Sequence, residues 1–503
     1  MTKKQTSKPN ILLITTDQQR ADHLGVKGLS AISTPNLDRL ATEGAHFDRA
    51  YCPSPICTPT RMSLLTGRWP SSHGAYSIGV TVDPPPRPTL PELLQQGGYA
   101  TALIGKAHFV RRDDEAEQIV GVANPDPATF RTFNGPSLGF DWVRTCIGHT
   151  INCEPDMHYR VFLEDACGQD GYKKWFPRMG DDYNHRMTGA WDIPEELQNT
   201  AWVAKETQDW LMRQAGDRPW FVWTSFEDPH EPFVCPEPWY SSVDTARMEL
   251  FEGKREGEFD RKPAIYEQIY RKELAGIDDG HGVPCVQGPS YQDGQIAEAM
   301  QATLGMIANI DDKVGRILRT LEETGQLANT IVIYTSDHGE MHGHHGFWGK
   351  GLTAYEDCQR VPLLIWGPSH VKRVGTTQAI ANLADLPATI LAMAGLQPAT
   401  GMQGTDLTPI LEGAAATVQD STIVECQATR NIYQMTFITA DYKLILYRDS
   451  DQGELYDLRS DPDQYDNLWE REEYRQVRAA LLQQAVQKQL QREGRVAPRQ
   501  SFA

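Results

Sequence analysis

Four apolar stretches of strand length each stop at polar residues of the kind that do chemistry. Asn10–Thr16 (NILLITT) runs into Asp17, and residues 100–104 run into Gly105-Lys106. Trp220–Ser225 leads to Asp228-Pro229-His230, and residues 331–335 end at Ser336-Asp337-His338-Gly339. Short apolar runs without alternation predict strands covered on both faces, as in a parallel sheet flanked by helices. Ligands of open α/β sheets bind beyond the carboxyl ends of the strands. One such ending constrains little, but four predict an α/β fold whose strand ends converge on a site.

The intervening segments fit that frame. Helical spacing covers Pro35–Glu43, Leu90–Gln96, 197–214 and 296–324, and a fifth strand is expected at 361–366. Two stretches, about 111–195 and 235–293, are rich in Gly, Pro, Asp and aromatic residues. They read as long excursions that shape a pocket or an oligomer contact. After Ala394-Gly395 the texture changes. Residues 421–427, 433–439 and 442–448 read as antiparallel strands, Glu454-Leu455-Tyr456-Asp457-Leu458 follows, and a helix is expected over about 470–492, with a tail from Gly494. The expected division is a catalytic α/β domain over 1–400 and a small α+β domain over 401–503.

A chain of 503 residues exceeds one ordinary core, which agrees with two units. The net charge of -19 disfavours nucleic acid and anionic membrane as partners. It equally repels an anionic substrate, which would need a local cluster of cations. Nine cysteines cannot all pair internally, and their spacing shows neither a disulfide framework nor a zinc pattern. The basic start lacks the long apolar segment of a signal peptide, and no run has membrane-spanning length. A cytoplasmic location is the expectation.

Cys57 lies in Pro55-Ile56-Cys57-Thr58-Pro59-Thr60-Arg61-Met62-Ser63-Leu64-Leu65-Thr66-Gly67, with a helix expected to begin near Pro59. A helix N-terminus beside Arg61 favours an anion at residue 57. Taken alone, a cysteine next to proline is more often structural, and the generic functional reading is a thiolate nucleophile. The whole segment, however, resembles the signature of the type I sulfatases, whose cysteine is oxidised by a separate enzyme to formylglycine. Other landmarks agree in order: Gly98 through His108, with Ala107 where an aromatic residue is common; Ser336 through Glu340; Gly349-Lys350; and the ending Glu454–Leu458 with Asp461-Pro462 and Asn467-Leu468. The resemblance implies the alkaline-phosphatase-like fold: a large mixed sheet sandwiched by helices, with a smaller C-terminal antiparallel sheet and helix.

It also implies a site. The expected ligands of one divalent metal are Asp17, Gln18, Cys57, Asp337 and His338. Many relatives carry Asp-Asp and Asp-Asn where this chain has Asp17-Gln18 and Asp337-His338, so the set is less negative and softer than an all-oxygen cage. Ca2+ is expected by analogy, and Mn2+ gains from the histidine. Catalytic roles fall to Cys57, Arg61, Lys106, His108, His230 and Lys350. His73 and His345 are candidates for facing the substrate, and the cluster His342, His344, His345 reads as a solvent-lined loop rather than a second metal site. The implied activity is hydrolysis of an aryl or sugar sulfate monoester, with a formylglycine-generating enzyme as maturation partner; tail and excursions offer surfaces for a homo-oligomer. Two rivals stand beside it. One is a phosphonate monoester or phosphodiester hydrolase of the same superfamily, whose Asp-Gln and Asp-His pairs look like those here. The other is a non-catalytic anion-binding protein with unmodified Cys57.

Overall fold

The computed structural model describes residues 8–123, 125–147, 155–176, 188–214, 216, 218–273, 286–288, 293–429 and 431–492. Its framework is an eight-stranded sheet: β1 (Asn10–Thr16), β2 (Ala45–Tyr51), β3 (Ala100–Lys106), β4 (Trp142–Cys146), β5 (Trp220–Ser225), β6 (Thr330–Ser336), β7 (Leu363–Trp366) and β8 (Gly375–Asn382). The spatial order is β8-β2-β7-β6-β1-β5-β3-β4. The run from β6 to β4 is parallel. β7 is antiparallel to both its neighbours, and β8 is parallel to β2. The sheet is therefore mixed, as expected.

Each central strand is covered on both faces, which is why its sequence is apolar without alternation. Ile11, Leu13, Leu103, Phe221, Trp223 and Ile333 pack on one side with α2 (Cys57–Thr66) and α3 (Leu90–Gln96). Leu12, Ile14, Ile104, Val222 and Val332 pack on the other with α1 (Pro35–Glu43), α4 (Asn199–Arg213) and α5 (Asp293–Glu323). Fully burying one such side chain stabilises by about 1.5–3 kcal/mol. α3 begins with a reciprocal cap, Thr89 accepting from the Glu92 amide while Glu92 accepts from the Thr89 amide.

Register levels the strand ends. Thr16 lies beside Ser336, and Thr15 and Gly105 both lie beside Ser225. Asp17, Lys106 and Asp337 consequently emerge side by side.

The C-terminal unit is a four-stranded antiparallel sheet, β9 (Ser421–Thr429), β10 (Ile432–Thr439), β11 (Tyr442–Tyr447) and β12 (Gly453–Asp457), in that order. The helix α6 (Arg475–Arg492) lays Leu481 and Ala485 on Ile423, Phe437, Leu444 and Leu455. The sheet docks on the loop that precedes Cys57: the Glu425 amide donates to the Pro53 carbonyl at 2.9 Å, and Ile56 shares a core with Cys426.

Several expectations are adjusted. The excursion over 111–195 supplies the edge strand β4 and two helices, Arg112–Val120 and Met157–Cys167. β2 was not anticipated because its sequence, AHFDRAY, carries Asp48 and Arg49. Asp48 is paired with Lys27 and Arg360, so its charge is accommodated by residues remote in sequence. β8 was missed for a related reason: its first half is polar, with Thr376 and Gln378 exposed and Thr377 buried, and only its second half, from Ala379, is continuously buried. α2 begins at Cys57 itself, with Ile56 as the extended residue before it. The expected tail from Gly494 lies outside the described residues. Among the described residues, no helix is long and apolar enough to cross a membrane.

Candidate active site

Cys57 opens the first turn of α2, and all ten residues of that helix are buried. The Lys350 ammonium donates to Cys57 Sγ at 3.1 Å, and His338 Nε2 lies 3.2 Å from it. Asp17 Oδ1 is 3.8 Å away. His338 Nε2 also stands 3.5 Å from one oxygen of Asp17 and 3.5 Å from one of Asp337. Asp17, Cys57, Asp337 and His338 thus form one buried cluster whose ligand atoms all lie within 4.8 Å of one another.

The remaining atoms of these side chains are assigned elsewhere. His338 Nδ1 is 2.9 Å from the Gly339 carbonyl, which can only accept; the proton is on Nδ1, and the Nε2 lone pair faces the cluster. Arg61 Nε binds Asp337 Oδ2 at 2.8 Å, and a second Arg61 nitrogen reaches Asp17 Oδ2 at 3.5 Å. Lys106 binds that same Asp17 oxygen at 2.7 Å. Each carboxylate therefore keeps its Oδ1 turned inward. Two inward carboxylate oxygens and an imidazole lone pair, all desolvated, fit a divalent cation with mixed oxygen and nitrogen ligands. Gln18 behaves differently. Its carbonyl oxygen accepts from Lys350 at 2.6 Å, and its amide donates to Glu231 and Glu340, each at 2.5 Å.

Electrostatics follow from this packing. Burial alone would raise the Asp17 carboxyl, but Lys106, Lys350, His230 and Arg61 hold it well below the usual carboxylate range. Burial drives the His108 imidazole well below its ordinary value, and the charges of Lys106 and Arg61 add to that. Burial, helped by the Glu231 charge, raises Glu340 to about 7.

The other anticipated residues divide. His230 sits at the rim, with a side chain 21% exposed, and its Nδ1 is 2.7 Å from the Glu231 carbonyl. His73 serves the scaffold: Nδ1 accepts from the Ala75 amide at 3.1 Å, and Nε2 is 3.1 Å from the Pro59 carbonyl, inside α2. His345 is fully buried, stacks on Tyr355 at 3.9 Å and binds Glu258 at 2.7 Å. The loop around it is not solvent-lined, since His342, His344 and His345 are all buried. His344, His345 and Asp357 form a second group of ligand type, in which Arg20 pairs with Asp357 at 2.5 Å. Sequence reasoning assigned no role to the buried carboxylates Glu115 and Glu340 or to the part-buried Glu231. Only their adjacency to the motif residues could have signalled them.

Known proteins resemble the chain along most of its length. The model of the sulfatase family matches residues 9–396, and a model described as N-sulphoglucosamine sulphohydrolase, C-terminal, matches residues 343–491. An arylsulfatase of Clostridium perfringens is 30% identical over 93% of this chain and 92% of its own length. An N-acetylglucosamine-6-O-sulfatase of Bacteroides thetaiotaomicron is 28% identical over 96% of this chain and 86% of its own length. Among solved structures, a phosphonate monoester hydrolase of Agrobacterium radiobacter superposes with a TM-score of 0.76 at 25% identity, covering 97% of this chain and 96% of that one.

Proposed function

The chain belongs to the sulfatase family, and from that premise we propose that it hydrolyses aryl or sugar sulfate monoesters through formylglycine made from Cys57. The observation that carries the reading is the meeting, at one sulfur, of a lysine ammonium, a histidine lone pair and inward-turned carboxylates. Asp17, Asp337 and His338 would hold a divalent cation, Ca2+ or Mn2+, beside the oxidised residue 57. When bound, the metal supplies positive charge to the substrate oxygens, and the hydrated aldehyde supplies a hydroxyl nucleophile. The carbonyl of Gln18, already taken by Lys350, makes Gln18 a weaker ligand than the other three.

The protein's own groups account for the rest. Lys106 and Lys350 face the non-bridging oxygens, where charge accumulates in the transition state. His230, at the rim, is placed to give a proton to the departing alcohol or phenol, with Lys350 assisting. His108, held neutral by burial, is suited to accept the proton whose removal returns the aldehyde and releases sulfate. Arg61 ties Asp17 to Asp337 and fixes both relative to α2. A formylglycine-generating enzyme is the partner required for maturation.

A second reading, phosphonate monoester or phosphodiester hydrolysis, is favoured by Gln18 and His338 in the ligand set and by the likeness to the Agrobacterium enzyme. One experiment tests both. Protein made alongside the maturation enzyme is loaded with Mn2+ or Ca2+ and assayed on an aryl sulfate and on a phenyl phosphonate ester, with mass spectrometry of the residue-57 peptide. Formylglycine with a higher kcat/KM on the sulfate is the expected result. A large preference for the phosphonate transfers the assignment to the second reading. An unoxidised thiol in protein made with that enzyme removes both.

A further inference from the structure

The carboxyl of Glu115 has no place in the chemistry above, yet it is fully buried beside a residue that does. It comes from the helix Arg112–Val120, in the stretch that the sequence presented as an excursion. Its Oε1 accepts the backbone N–H of His108 at 2.6 Å. His108 has φ 51, in the left-handed region that a residue with a Cβ occupies only when its surroundings impose it. The neighbours Ala107, Phe109 and Val110 are fully buried, so the turn is packed on both sides of the strained residue. The His108 ring is buried too, and its Nδ1 has no hydrogen-bond partner among the described residues. The N–H to Glu115 is therefore a directional bond that ties the strained backbone of His108 to a helix.

We propose that Glu115 is the positioning residue for His108: its carboxyl holds the His108 amide and so fixes the left-handed turn that sets the imidazole. The proposal rests on the reading of His108 as a proton acceptor in ester hydrolysis. Glu115 acts through His108 and does not touch the reacting atoms.

Burial favours the neutral acid form of Glu115. Burial raises its carboxyl to about 8, against the pull of the His108 amide and the Lys106 charge. The groups facing it are His108 and Lys106 from the end of β3, Glu227 beyond β5, and Arg61 from α2. A neutral carboxyl accepts the amide through its carbonyl oxygen, and a glutamine side chain presents the same oxygen. Ionisation above pH 8 would instead place an anion next to His108 and raise the imidazole's proton affinity.

The test compares Glu115→Gln, Glu115→Ala and the parent, all carrying formylglycine and metal to the same content. Glu115→Ala is expected to lower kcat by about 10- to 100-fold with KM nearly unchanged, the range for a misplaced catalytic group. Glu115→Gln is expected to restore kcat at pH 7, because it presents the same acceptor oxygen to the His108 amide. A kcat for Glu115→Ala equal to the parent's overturns the proposal, as does a Glu115→Gln enzyme as impaired as the alanine variant. If Glu115→Ala does not fold, Glu115→Gln decides alone: a kcat at pH 7 reduced by about 10-fold or more overturns the assignment. A readout free of turnover separates this from failure of the proposed activity. In histidine-labelled protein, the His108 resonance is identified by its loss in His108→Ala. It should be single in the parent and in Glu115→Gln, and doubled or broadened in Glu115→Ala; an unchanged resonance in the alanine variant counts against the proposal whether or not the parent cleaves sulfate esters.

Discussion

At the scale of single residues, the site is an arrangement of charges that only partners make tolerable. Arg61 and Asp337 are both fully buried, and each would be strongly unfavourable alone. Arg61→Ala should therefore lower stability by about 3–5 kcal/mol, since two carboxylates lose their shared cation. Excess Mn2+ or Ca2+ should recover part of this, because a bound dication neutralises the same two carboxylates through their other oxygens. Thermal unfolding with and without metal reads both effects, and a variant as stable as the parent without metal would contradict the arrangement. The identity of these residues was legible in the sequence because each stands next to a strand end or in the segment around Cys57. Their atomic assignments were not. That Gln18 offers its oxygen to Lys350, and that His73 spends both ring nitrogens on α2 and its flank, depends on contacts between residues that local pattern cannot pair.

At the scale of elements, strand ends deliver the chemistry, and their close approach is set by one glycine. Gly105 in β3 has φ 97, and a Cβ there would lie 1.9 Å from the Ser225 carbonyl oxygen of β5. Gly105→Ala must adopt a strained dihedral and push two paired strands apart, each at about 1–3 kcal/mol. The displaced strand carries Lys106 and leads to His108. The expected outcome is a lower melting temperature together with a reduced kcat, checked by calorimetry and assay on the same preparation; wild-type activity in a stable variant would refute the close approach. The apolar strands β1, β3, β5 and β6 announced themselves through composition. β2 and β4 did not, because their polar residues are paired with groups from distant elements, Asp48 with Arg360 and Arg144 with Glu206. Local propensity gives no account of such compensation.

At the scale of the whole molecule, the C-terminal sheet braces the loop before Cys57. Glu425, 1% exposed, accepts from the Ser71 amide and hydroxyl at 2.8 and 2.9 Å and pairs with Arg492 at the end of α6 at 2.5 Å. Glu425→Ala leaves a buried arginine without its anion and should cost about 3–5 kcal/mol, whereas Glu425→Gln, which retains an acceptor, should cost less. Equal urea midpoints for the two variants would show that the charge is not what matters. Acid sensitivity is also a property of the entire fold. Burial lowers His73 and His158 to about 3, and His23 and His345 to about 4. Their unfolded values are near about 6.5, so the unfolded chain binds more protons below that pH. Stability from these four is fully present well above pH 6.5 and is lost progressively as the pH falls from there to about 3. Unfolding at pH 5 should take up about four protons more than at pH 8 from this source, measurable by calorimetry in buffers of different ionisation enthalpy; no excess uptake would mean that these rings are already charged in the fold.

The sequence by itself determined the α/β class, the antiparallel C-terminal unit and the chemical groups at the strand ends, because each is written in contiguous residues. Only the tertiary structure decided which oxygen of each carboxylate faces the cluster, which histidines are scaffold, and that an acidic side chain from a supposed excursion holds the amide of His108. Those choices are made by sheet register and by packing across the two faces of the sheet, and both join residues that lie far apart along the chain.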